Sequence, residues 1–118
     1  MKESELEIKF CSIVREAGGK AYKFVSPGNA GVPDRIVVLP GGKVGFVELK
    51  RPGEEPRKLQ RLRLEELRKL GCHAAVVDSA EDAAAFVSQV RRQEPAQDRD
   101  SRLFEEMVNR SPSGRRRP

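Results

Sequence analysis

The 118-residue chain has no tryptophan, one tyrosine (Tyr22), one histidine (His73) and two cysteines, and aromatic residues make up 5% of it. So few rings exclude the stacking platform with which proteins read single-stranded bases. Cys11 and Cys72 stand far apart, with no Cys or His at ligand spacing beside either. A zinc site and a disulfide scaffold are both excluded, and two free thiols are expected. The lone histidine follows the stop of a predicted helix, so it reads as structural or exposed rather than as a general base. Nowhere does a run of about 18 apolar residues occur, and the start Met1-Lys2-Glu3-Ser4-Glu5 lacks the apolar stretch of a signal peptide. No membrane association is expected, and the location expected is cytoplasmic.

Charge, by contrast, is plentiful: 35% of residues are Asp, Glu, Lys or Arg, with a formal net charge of +5. Its distribution says more than its sum. Residues 1–90 carry 15 basic and 13 acidic groups, and residues 91–118 carry 8 and 5. Over half of the excess therefore lies in the last quarter, which is poor in apolar residues and ends in Ser-Pro-Ser-Gly-Arg-Arg-Arg-Pro. Such a segment cannot bury enough surface to offset the entropy of ordering. One folded domain over residues 1–92 and a basic, disordered tail over 93–118 are expected, with an amphipathic turn around Leu103, Phe104, Met107 and Val108.

Within the domain, Ser4 and Glu7 have capping-box spacing, and Leu6, Phe10, Ile13, Val14 and Ala17 recur at helical intervals up to Gly18-Gly19. Residues 20–25 alternate as a strand does before the turn-rich Ser26-Pro27-Gly28-Asn29-Ala30-Gly31-Val32-Pro33. Residues 34–39 and 43–50 are apolar runs joined by Pro40-Gly41-Gly42, a hairpin expected to be central and covered on both faces. From Pro56, Leu59, Leu62, Leu67 and Leu70 predict a second amphipathic helix ended by Gly71. Residues 73–77 follow as a short buried strand, and Ser79 caps a third helix with Ala83, Phe86, Val87 and Val90 inward. The order α-β-β-β-α-β-α predicts an α/β fold, a mixed four-stranded sheet flanked by helices.

The hairpin arithmetic brings chemistry together. With Leu39 facing Lys43, Asp34 falls opposite Glu48, their Cβ atoms roughly 4.5–5.5 Å apart. Lys50, two residues on, joins the same face. Adjacent carboxylates repel unless something compensates, and a divalent cation is the usual compensator. Two carboxylates, water and a substrate phosphate form a Mg²⁺ coordination shell, and a lysine beside it suits metal-assisted phosphodiester hydrolysis. The same residues also fit a bland reading, in which Glu48 and Lys50 are a solvated pair at a strand end and Asp34 is a turn residue after Pro33.

The linear pattern is more specific. Gly31-Val32-Pro33-Asp34-Arg35, then Phe46-Val47-Glu48-Leu49-Lys50, then Leu59-Gln60, with Glu7 in a preceding helix, resembles the PD-(D/E)xK nuclease superfamily, and most closely its stand-alone, phage-type VRR-NUC domains. Lys23-Phe24-Val25-Ser26-Pro27-Gly28 before the motif is also where that family would have it. The resemblance covers residues 5 to about 90 and leaves the arginine-rich tail outside.

It implies a restriction-endonuclease-like core and a metal-dependent DNA endonuclease, structure-selective for branched or Holliday junction-like DNA and acting as a homodimer. Asp34 and Glu48 would hold Mg²⁺ or Mn²⁺, with the backbone carbonyl of Leu49 as a third ligand, and Lys50 would be the catalytic lysine. Glu7 would be the additional acidic residue that helps to organise the metal, unless it caps helix one with Ser4. Gln60 would be the active-site glutamine of helix two. Lys23, Ser26, Asn29, Arg35 and Lys58 are candidate phosphate contacts. Recognition would rest on backbone charge and DNA shape. The competing readings are a catalytically inactive nucleic-acid-binding module of the same fold, and an interaction protein whose basic tail docks on acidic partners.

Overall fold

A computed structural model describes residues 2–93. The expected tail, apart from Gln93, and the turn anticipated around Leu103 lie outside the described residues. The elements follow the predicted order: α1 (Glu3–Glu16), β1 (Lys20–Lys23), β2 (Arg35–Leu39), β3 (Lys43–Leu49), α2 (Lys58–Lys69), β4 (His73–Val77) and α3 (Ala80–Arg92). The four strands form one sheet in the order β1-β2-β3-β4. β2 is antiparallel to both β1 and β3, whereas β4 runs parallel to β3 after the α2 connection. This is the mixed sheet expected, with the hairpin at its centre.

The core lies between the sheet and the α1–α3 layer. Leu6, Phe10 and Val14, one face of α1 at intervals of four, are fully buried, and they join Ala83, Phe86, Val87 and Val90 of α3. Val37, Leu39, Val47, Leu49 and Val77 complete the cluster from the strands. Each such side chain contributes about 1.5–3 kcal/mol by leaving water. The rings of Phe10 and Phe86 meet at 6.2 Å between centroids. Gly45 permits the close approach of α3, because a Cβ there would stand 2.7 Å from Val90 Cγ2 and 2.8 Å from Phe86 Cζ. Ser79 caps α3 as expected, its side chain accepting from the Asp82 N–H at 3.0 Å.

Four expectations are corrected. The Ser4–Glu7 capping box does not form, because α1 starts earlier: Lys2 is the N-cap, and its N–H donates to Glu5 Oε1 at 2.7 Å. Glu7 is thereby released from capping. The inward face of α2 is not the Leu59–Leu62 stripe; Leu64 is buried and Gln60 and Leu67 are half-buried, while Leu59, Leu62 and Leu70 are exposed. Positions 60, 64 and 67 share one face, and that face docks on the sheet through β4. The hairpin is closed on one face only. Ile36, Val38, Val44 and Phe46 remain half-buried on the other, because α2 packs against β4 rather than across the whole sheet.

Finally, β1 ends at Lys23 instead of Val25, although the Phe24 N–H still donates to the Asp34 carbonyl at 2.8 Å. The Ser26-Pro27 turn then lifts the chain away, leaving Val25 78% exposed. β2 and β3 likewise stop one residue short of Asp34 and Lys50.

Candidate active site

The β2–β3 register runs from Leu39↔Lys43 to Arg35↔Val47, so the next step sets Asp34 level with Glu48 where both strands end. Glu48 and Lys50 are the two buried charged residues among the described ones, 2% and 8% exposed. The Lys50 Nζ stands 3.4 Å from Glu48 Oε2, and the Gln60 Nε2 donates to the same oxygen at 2.8 Å. Gln60 in turn accepts the Arg57 N–H on Oε1 at 2.8 Å. One amide therefore caps α2 and fixes the carboxylate beneath it.

Asp34 is held differently. Its Oδ2 accepts the Leu49 N–H at 2.9 Å, while the next amide along the strand, that of Lys50, donates the other way, to the Val77 carbonyl of β4 at 3.0 Å. Because the N–H and C=O of one strand residue point to the same side, the Leu49 carbonyl also lies on the edge facing Asp34. The loop that delivers Asp34 is pinned by α2. Arg63 Nε donates to the Ala30 carbonyl at 2.9 Å, and Gly31, at φ +85°, leaves room for Leu59, whose Cγ would stand 2.8 Å from a Cβ there. Arg63 escaped the sequence reading, since nothing distinguishes it from the other arginines of a charged helix.

A cleft of about 420 Å³ opens beside Asp34 and is walled by Glu7, Lys23, Arg35 and Leu49 among others. Glu7 reaches it from α1, its Oε2 3.0 Å from Arg35 Nη2. Arg35 also donates through Nη1 to the Ala21 carbonyl at 3.2 Å. Lys23 is exposed at the rim. Asn29 Nδ2 donates to Ser26 Oγ at 3.0 Å, so these two close a turn on each other. Lys58 lies elsewhere, along an apolar groove with Leu59 and Leu62 on the outer side of α2.

Burying a carboxylate and an ammonium costs several kcal/mol per ion, and even a good ion pair seldom does more than recover it. Such a pair at the end of two central strands signals function more than stability. The donors suit a hard cation. Asp34, Glu48 and the Leu49 carbonyl offer oxygen alone, as Mg²⁺ and Mn²⁺ favour. No group of three or more His, Cys, Asp or Glu side chains converges among the described residues, so water and substrate oxygens would fill the remaining positions of such a centre. The free cysteines take no part; burial pushes the Cys72 thiol above its ordinary value, the condition of an unreactive sulfur.

Gln60→Leu, which removes the cap acceptor and the donor to Glu48 together, is expected to lower the unfolding free energy by about 1–3 kcal/mol. Lys58→Leu on the exposed side of the same helix should stay within about 0.5 kcal/mol. Urea denaturation of both variants measures the difference.

Comparison with known proteins identifies the family. The profile of the VRR-NUC domain matches residues 4–81, from the start of α1 to the first turn of α3. The chain belongs to the VRR-NUC family. "Putative nuclease p44" of Acyrthosiphon pisum secondary endosymbiont phage 1 is 51% identical over 79 residues, 67% of this chain and 85% of that protein. A solved VRR-NUC domain superposes at a TM-score of 0.68 with 29% identity, covering 73% of this chain and 94% of its own. A second VRR-NUC domain protein shares the fold at a TM-score of 0.58 and 20% identity, covering 80% and 91%. The VRR-NUC match ends at Glu81, short of most of α3, whose buried residues nonetheless close the α1 side of the core.

Proposed function

We propose that this VRR-NUC protein is a metal-dependent endonuclease of the PD-(D/E)xK type that hydrolyses DNA phosphodiester bonds, with preference for branched DNA. The observation that supports it best is the buried Glu48, level with Asp34, with Lys50 and Gln60 both on one of its oxygens. Family membership and the name of the phage relative point the same way.

In this reading Asp34, Glu48 and the Leu49 carbonyl hold Mg²⁺ or Mn²⁺. The cation would supply Lewis acidity to the phosphodiester and lower the pKa of a coordinated water. Lys50, oriented by Glu48, donates a hydrogen bond to the attacking water and to the phosphoryl oxygens as negative charge grows on them. Gln60 keeps Glu48 in place. Lys23 at the rim binds the DNA backbone, a contact that positions the duplex without reading sequence. One site cuts one strand, so a symmetric branched substrate calls for two, and a homodimer supplies them.

Incubation with a four-way junction and with linear duplex tests this. Cutting of the junction in Mg²⁺ or Mn²⁺, its loss in EDTA and its return on adding excess cation are expected. Tight DNA binding with no cutting under either cation would identify a binding module instead.

A further inference from the structure

Arg35 is buried beside the cleft, its side chain 11% exposed, while its partner Glu7 is 42% exposed. Its guanidinium joins three elements: it sits on β2 next to Asp34, reaches the Ala21 carbonyl of β1, and holds Glu7 of α1. Only Nη2 grips the carboxylate, and the Arg35 Nε is buried with no hydrogen-bond partner. A planar, always-charged group fixed this way cannot follow Glu7; Glu7 is held where Arg35 puts it. That place is the wall of the cleft lined by Asp34 and Leu49.

We propose that Arg35 is a positioning residue that holds Glu7 beside the metal centre as an acceptor for the hydration shell of the cation, not as a direct ligand. The inference rests on the metal-dependent reading above and adds to it the group that sets the reach of Glu7. Mg²⁺ dehydrates reluctantly and keeps several waters, and carboxylates that receive hydrogen bonds from a centre's periphery typically alter its affinity 10–100-fold. Glu7 has one oxygen on Arg35, which leaves the other to accept hydrogen bonds from the waters of that shell.

Calorimetric titration of the full chain with Mg²⁺, and separately with Mn²⁺, tests the proposal without reference to cleavage. Glu7→Gln and Arg35→Met are each expected to weaken Mg²⁺ binding about 10-fold, with the double variant no weaker than either alone. Arg35→Lys, which keeps the charge but not the guanidinium geometry, should recover only part of the affinity. Tighter binding in Arg35→Met would overturn the proposal, since Glu7 would then be a ligand that Arg35 withholds. Unchanged affinity in Glu7→Gln would overturn it as well, and that surface variant decides the matter even if Arg35→Met fails to fold. A wild-type chain that binds neither cation would instead remove the metal-dependent reading itself.

Discussion

Asp34→Asn is expected to abolish DNA cleavage, by about a thousandfold or more, while leaving the fold and most of the DNA affinity in place. The reasoning turns on what asparagine keeps. Its carbonyl oxygen can still accept the Leu49 N–H that Asp34 Oδ2 now accepts at 2.9 Å, so the end of the 26–33 loop stays docked on β3. Only the negative charge is lost. With it goes one of the two carboxylates that would hold the cation, and with the cation its stabilisation of the developing charge, a contribution of several kcal/mol; each 1.36 kcal/mol is tenfold in rate. Single-turnover cleavage of a four-way junction, with circular dichroism and a binding isotherm on the same preparation, measures all three quantities. Cleavage within a few-fold of wild type would take Asp34 out of the metal site.

Much of that site was legible because it depends on strand register. Once Pro40-Gly41-Gly42 is read as a turn, the opposition of Asp34 and Glu48 follows by counting, and the observed pairs Leu39↔Lys43 and Arg35↔Val47 continue to it. Period-two alternation also placed Glu48 and Lys50 together on the side away from Leu49. What counting could not supply was the choice among equivalent local solutions. Lys2–Glu5 and Ser4–Glu7 have the same spacing, and only the burial of Leu6, Phe10 and Val14 together with the reach of Arg35 decides that Glu7 faces the cleft.

The face of α2 is the same kind of problem. Leucines occur on several sides of that helix, and the sequence offers no reason to prefer Leu64 over Leu59 or Leu62. The preference comes from a polar contact, Gln60 on Glu48, that fixes the rotation of the helix and leaves two leucines facing water. The resemblance pointed to Gln60 as an active-site residue without indicating that it also accepts the Arg57 N–H. Helix start and site geometry are thus one structural event, which is why Gln60→Leu tests both.

Lys50→Met should eliminate cleavage and destabilise the protein, whereas adding Glu48→Leu to it should restore stability without restoring activity. Methionine removes the ammonium from beside a carboxylate that is 2% exposed, and breaking one side of a buried pair typically costs about 3–5 kcal/mol. Replacing both members with apolar groups removes the desolvation penalty along with the attraction, a change that is often neutral or favourable by about 1–4 kcal/mol. Gln60 Nε2 would lose its acceptor in the double variant, a loss of about 1–3 kcal/mol that offsets part of the gain. The expected order of stability therefore has the double variant above Lys50→Met, and both should lack the roughly 10²–10⁴-fold that positioned proton transfer contributes. Urea denaturation ranks the proteins and a cleavage assay confirms that neither cuts. A double variant less stable than Lys50→Met would mean that the pair stabilises the fold outright. The opposite order would identify Glu48 and Lys50 as groups held against the stability of the fold because the chemistry requires them.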